Sequence, residues 1–168
     1  METILVSACL LGERVRYDGG DKRCNSPILQ GWVQEGRVIS VCPEVLGGLP
    51  VPRTPAEIAG GAGGKEVLRG TARVMDATGR DVTAEFRQGA EQAVNLAAAG
   101  RIRMAVLKEG SPSCGTGYIY DGSFTGTKVA HPGVAAARLQ EAGVRVFSEL
   151  QLEQAEEWLK MLEEEEAG

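Results

Sequence analysis

The chain has 168 residues, a formal net charge of −5 and a pI near 5.0, with 43% hydrophobic, 24% charged and 5% aromatic residues. That length suits one domain able to bury roughly 70% of its unfolded surface without disulfide staples, and the composition excludes a disordered chain. No apolar run approaches the ~20 residues of a membrane span, and an acidic chain poor in aromatics lacks the charge and stacking surface that nucleic acid demands.

Thr3 to Cys9 is a short apolar run that reads as a buried strand leading into a loop. The loop from Arg14 to Gly20 is rich in turn residues. A helix is expected over 27–36, with Ser26 as N-cap and Pro27 at the first position. Residues 37–42 form a second predicted strand. The stretch 43–53 is too rich in Pro and Gly to be expected regular, and Gly60 to Gly64 is expected to be a mobile loop. Residues 66–75 and 80–83, around Asp76, Ala77, Thr78 and Gly79, predict a β-hairpin.

A long helix is predicted over 84–99, closed by Gly100. Residues 102–108 form a third strand, and 118–125 a short extended segment. A helix over 132–142, a strand over 144–147 and an acidic terminal helix over 151–166 complete the chain. Strands alternate with helices, without a repeat or an interdomain linker. The expected fold is therefore α/β: one Rossmann-like domain whose mostly parallel sheet is flanked by helices, with a small β-hairpin insertion. The 23 glycines, about twice the average share of ~7%, cluster beside apolar runs, as tight turns and close backbone approach to a ligand require.

The start of the chain lacks a basic segment followed by a long apolar one, so it is read as mature protein, and a cytoplasmic location is expected. In that compartment four cysteines suit metal binding or catalysis better than disulfides. Three of them share a topological position: Cys9, Cys42 and Cys114 each lie at or just beyond the carboxyl end of a predicted strand. That edge is where open α/β sheets bind ligands, and neighbouring strands stand ~4.8 Å apart, so the three thiols can converge. All-sulfur ligation favours zinc or an iron–sulfur cluster, and the spacings match no local motif that decides between them. A structural zinc wants a fourth ligand, and the single histidine, His131, reads as a loop or cap residue before Pro132. Three thiolates would leave one iron of a 4Fe–4S cluster open to substrate. Cys24 lies in a polar loop and is read as a bystander.

Glu44, two residues beyond Cys42, is the candidate general acid or base. Asp18, Arg53, Ser111 and Ser113 lie in loops on the same expected edge and are candidates for orienting a small polar ring. No GxGxxG or Walker pattern follows the first strand, so neither a dinucleotide nor an ATP site is expected. Two other readings use the same cysteines: a non-catalytic iron–sulfur redox or sensor module, and a zinc hydrolase.

Several segments carry a family resemblance. Val6-Ser-Ala-Cys-Leu-Leu-Gly12, Val15-Arg-Tyr-Asp-Gly-Gly20, Cys42-Pro-Glu-Val-Leu-Gly-Gly-Leu-Pro50, Pro52-Arg53, Asp81-Val-Thr83, Leu107-Lys-Glu-Gly-Ser-Pro-Ser-Cys-Gly115 and Ile119-Tyr-Asp-Gly122 occur in that order. Together they resemble the bacterial thiouracil desulfurase family, formerly domain of unknown function 523, from about residue 3 to 149. The resemblance implies a 4Fe–4S cluster held by Cys9, Cys42 and Cys114, and conversion of 2-thiouracil to uracil and sulfide without net electron transfer. Under it, residues 1–150 form the cluster-binding desulfurase domain and 151–168 an acidic helix packed on it. The expected partner is a small thiolated pyrimidine, with no nucleic acid and no membrane.

Overall fold

The computed structural model describes residues 1–167. Its centre is a four-stranded, wholly parallel sheet built from β1 (Ile4–Ser7), β2 (Val38–Val41), β5 (Met104–Leu107) and β8 (Arg145–Ser148), in the order β2-β1-β5-β8. Between them in chain order lie α1 (Pro27–Gln34), α2 (Pro43–Leu46), β3 (Ala56–Ile58), α3 (Gly64–Arg69), β4 (Val74–Asp76) and α4 (Thr83–Ala99). After β5 come β6 (Ile119–Tyr120), β7 (Lys128–Val129) and α5 (Val134–Glu141), and α6 (Leu152–Ala167) follows β8. The antiparallel pairs β3–β4 and β6–β7 are the small additions to the α/β core.

The two central strands, β1 and β5, are buried on both faces, so their residues are almost all apolar and alternate between two cores, whereas the outer strands β2 and β8 leave Ile39, Ser40 and Arg145 exposed. Ile4, Val6, Met104, Val106 and Phe147 face α1 and α6, where Leu29, Trp32, Leu152 and Leu159 meet them. Leu5, Ala105, Leu107 and Val146 face α4 and α5, against Ala93, Ala97, Ala136 and Leu139. A third cluster, including Ile58, Val67, Val74, Phe86 and Ile119, sits beneath α3 and the antiparallel pairs. The chain leaves β1 to one side for β2 and returns on the other for β5. The topological switch point, where doubly wound sheets open a crevice, thus lies between β1 and β5.

Four local expectations are revised. Residues 43–46, expected irregular, form one helical turn, because Cys42 takes an extended N-cap conformation and Pro43 is pre-set for the first position. Within the stretch 60–64, expected to be a loop, Gly61 ends a 3-10 turn and Gly64 starts α3. Residues 66–69 belong to α3 rather than to a hairpin arm, and a left-handed Gly70 ends that helix. The turn at Asp76–Gly79 is present: the Asp76 carboxylate gathers the N–H groups of Thr78 and Arg80, and Met75 bridges Asp81. The main pairing of β4, however, is with β3. Finally, the extended segment at 118–125 stops at Tyr120. Asp121 then caps a turn by accepting the Ser123 N–H at 2.9 Å.

Candidate active site

Cys9 sits in a 3-10 turn directly after β1, Cys42 directly after β2, and Cys114 in the loop beyond β5. These three strands are neighbours in the sheet, and all three cysteines line one small cavity of about 40 Å3 at its carboxyl edge. Cys9 and Cys114 are buried and Cys42 half-buried, and all are free thiols. Glu44, Arg53 and Ser111 line the same cavity, joined by Arg16 and Lys108. A second chamber of about 300 Å3 shares Arg16, Glu44 and Ser111 with the first and is flanked by Tyr17 and Tyr120.

The loop that follows the first 3-10 turn is held over the cavity by Arg53. Its Nη2 donates to the Val15 carbonyl at 2.9 Å and its backbone N–H donates to the Tyr17 carbonyl at 2.6 Å. Nη2 also lies 3.3 Å from Glu44 Oε2, and Nη1 donates to the Pro50 carbonyl at 3.1 Å. On the other wall, Ser111 Oγ accepts the N–H groups of Ser113 and Cys114, at 3.1 and 3.3 Å. Ser113 Oγ lies 3.0 Å from Ser111 Oγ and 3.4 Å from Cys114 Sγ. Ser113 is 1% exposed and stands behind the wall, supporting Ser111 and Cys114.

Burial dominates the electrostatics. It pushes the Cys114 thiol up to about 12 and raises Cys9 and Cys42 as well, with Arg16 opposing the rise at Cys9 and the Val45 N–H at Cys42. Burial also raises Glu44, opposed by the guanidinium groups of Arg53 and Arg16. The Nε atoms of Arg16 and Arg53 are buried and without a partner. Unsatisfied cationic donors beside three thiols mark a place built for an anionic group. Among the described residues, no three His, Cys, Asp or Glu side chains are close enough to hold a single metal ion. All three thiols line one common cavity. This suits a polynuclear sulfur-ligated cluster better than a mononuclear zinc, whose Zn–S bonds are ~2.3 Å.

Asp18 does not line the cavity; its Oδ1 accepts the Gly20 N–H at 2.8 Å and so caps its own turn. Cys24 is half-buried against the core, its N–H bonded to the Leu10 carbonyl, and it too lies outside the cavity. Sequence reasoning missed Arg16 and Lys108. Each had an available signal: Arg16 lies within the Val15–Gly20 motif, and Lys108 directly follows a strand at the ligand edge. Lys108 Nζ is paired with Glu149 Oε2 at 2.9 Å, and its backbone N–H donates to Ser7 Oγ.

Residues 4–151 match the family described as 2-thiouracil desulfurase. The chain is 46% identical over 149 residues to the uncharacterized protein YbbK of Bacillus subtilis (strain 168), a match spanning 89% of this chain and 97% of that one. It is also similar to the solved structure of a 4Fe–4S-dependent thiouracil desulfidase, TudS. There the TM-score is 0.87 and the identity 49%, over 96% of this chain and 99% of that one. No helix among the described residues is long and apolar enough to cross a membrane.

Proposed function

The chain belongs to the 2-thiouracil desulfurase family, and on that premise we propose that it hydrolyses the carbon–sulfur bond of 2-thiouracil or a related thiolated pyrimidine. The observation that carries this reading is the convergence of Cys9, Cys42 and Cys114 on one cavity that adjoins a larger open chamber. Thiocarbonyl plus water gives carbonyl plus hydrogen sulfide, so atoms balance and no electrons are consumed.

Cys9, Cys42 and Cys114 would hold a 4Fe–4S cluster, leaving one iron without a protein ligand. When bound, the cluster would supply soft Lewis acidity suited to the substrate sulfur. The rest falls to the protein. Glu44, at the wall common to both chambers, moves the proton of the water that adds to the ring carbon. Arg53 holds that carboxylate in place at 3.3 Å. The Ser111 hydroxyl, fixed by Ser113, is a hydrogen-bonding group for the ring. Arg16 and Lys108 add positive charge where sulfide accumulates.

The substrate is a small molecule. A net charge of −5 argues against RNA, and the chamber flanked by Tyr17 and Tyr120 offers aromatic faces to a single ring. Free thiols and an exposed-iron cluster suit a reducing cytoplasm. The test is anaerobic reconstitution with iron and sulfide, followed by incubation with 2-thiouracil. Uracil and sulfide released in equal amounts, by protein containing iron and no zinc, is the expected result. Bound iron without product would overturn the enzymatic reading in favour of a redox module.

A further inference from the structure

Cys114 is carried by a loop, residues 108–118, that has no regular secondary structure, yet its backbone is closely held. The holder is Glu109. Its Oε1 accepts the N–H groups of Thr116 at 2.7 Å, Gly117 at 3.0 Å, and Gly110 and Tyr118 at 3.3 Å. Its Oε2 accepts the Thr116 hydroxyl at 3.0 Å and shares the Gly117 N–H at 3.1 Å. The residue is 8% exposed. A buried carboxylate is stable only when donors surround it, and loop N–H groups turned inward are stable only when an acceptor meets them; here each requirement satisfies the other.

The carboxylate is itself anchored. The Glu109 N–H donates to Glu149 Oε1 at 2.8 Å, at the carboxyl end of the neighbouring strand β8. Gly117 lets the loop close tightly on it: a Cβ there would stand 3.2 Å from Glu109 Oε2. Cys114 lies between two anchors: Ser111 on its N-terminal side, accepting its N–H, and the Glu109 hub two residues beyond it.

We propose that Glu109 is the positioning residue for Cys114, fixing the third thiol against the cavity by gathering the loop around one carboxylate. It touches neither thiol nor substrate. The proposal deepens the cluster reading above, and its test separates the two. Glu109→Gln removes the charge and turns one acceptor oxygen into a donor facing the Thr116 hydroxyl and the Gly117 N–H, so the hub is weakened at nearly constant volume.

Iodoacetamide labelling of the full chain before reconstitution, resolved cysteine by cysteine by mass spectrometry, reads the position of each thiol. Labelling of Cys114 is expected to accelerate at least ~10-fold, with Cys9 and Cys42 changed by less than ~2-fold. After reconstitution, the reduced cluster of the variant should show an altered electron paramagnetic resonance signal and faster iron loss to a chelator. Thr116→Val, which removes one bond to Oε2, should shift Cys114 labelling in the same direction by less, and it decides the matter if Glu109→Gln does not fold. Unchanged labelling, or equal acceleration at all three cysteines, overturns the proposal. Selective labelling of Cys114 in the variant, together with a parent protein that itself binds no iron on reconstitution, leaves the positioning role standing and overturns the cluster reading.

Discussion

Arg53 and Glu44 form an ion pair at 3.3 Å in which the guanidinium is 5% exposed and the carboxylate 18%. The same guanidinium group holds the carbonyls of Val15 and Pro50. One side chain therefore ties the loop after the first 3-10 turn, the loop after α2 and the candidate acid–base group together. Arg53→Met should cost about 3 kcal/mol, because it leaves a buried carboxylate without its cation and two carbonyls without donors. Urea unfolding measures it. In the double variant with Glu44→Gln the loss should be smaller than the sum of the single losses, since the stranded charge is gone.

Glu44→Gln by itself tests the chemistry. It keeps the volume and removes the proton acceptor, so turnover of 2-thiouracil should fall by ~10²–10⁴-fold. The iron content and visible absorbance of the reconstituted protein should be unchanged. Activity within a few-fold of the parent protein would remove Glu44 from the mechanism.

The four cysteines should separate into two classes. Cys9→Ser, Cys42→Ser and Cys114→Ser each take one thiol from the cavity, whereas Cys24→Ser leaves all three in place. Iron and acid-labile sulfide should drop to a small fraction of the parent value in the first three and remain full in the fourth. A full cluster in any of the first three would show that the sulfur set is different.

How much of this site was legible in the sequence depends on how local the cause was. The central strands β1 and β5 were legible because burial on both faces makes them continuous apolar runs, and the shared position of Cys9, Cys42 and Cys114 followed from the predicted strands. The helical turn at Pro43 was hidden because Pro and Gly normally signal irregular chain, and only the extended N-cap at Cys42 makes Pro43 a helix start. The pairing of Lys108 and Glu109 was illegible for another reason, although Lys108 itself directly follows a strand. Their partner, Glu149, is 40 residues beyond Glu109 and meets it only because β5 and β8 pair in parallel. For Asp18, residue type and loop position did not reveal that its carboxylate caps its own turn, outside the lining of the cavity.

A pH dependence of stability is expected from Asp76. The Thr78 hydroxyl, with the N–H groups of Thr78 and Arg80, favours the ionised form and lowers this carboxyl below its ordinary 3.8. A carboxyl lowered by folding stabilises the fold above its unfolded pKa, and that stabilisation disappears as pH falls through the folded value. Asp76→Asn should therefore be less stable than the parent protein at pH 7, and the gap should close as pH falls below the ordinary carboxyl value of 3.8. Urea midpoints at several pH values on both sides of that value measure it. A gap that is constant with pH would mean the turn depends on shape and not on charge.

The glycine excess has a specific use where α2 meets α4. A Cβ on Gly89 of α4 would collide with the Pro43 carbonyl, and a Cβ on Gly47, at the end of α2, would collide with the Glu85 carbonyl. The two helices touch backbone to backbone, and the first turn of α2 carries Cys42 at its cap and Glu44 inside. Neither carbonyl can swing aside as a flexible side chain can. In a helix interior Gly→Ala is ordinarily favourable by up to ~1 kcal/mol, which is the outcome expected at Gly31 of α1, where a Cβ would meet open space. At Gly89 the overpacking cost of ~1–3 kcal/mol should exceed that gain, so Gly89→Ala should lower the melting temperature. By pushing α2 outward it should also lower the iron content after reconstitution. If Gly89→Ala matches Gly31→Ala in stability and in bound iron, then the close approach of these helices does not set the position of Cys42.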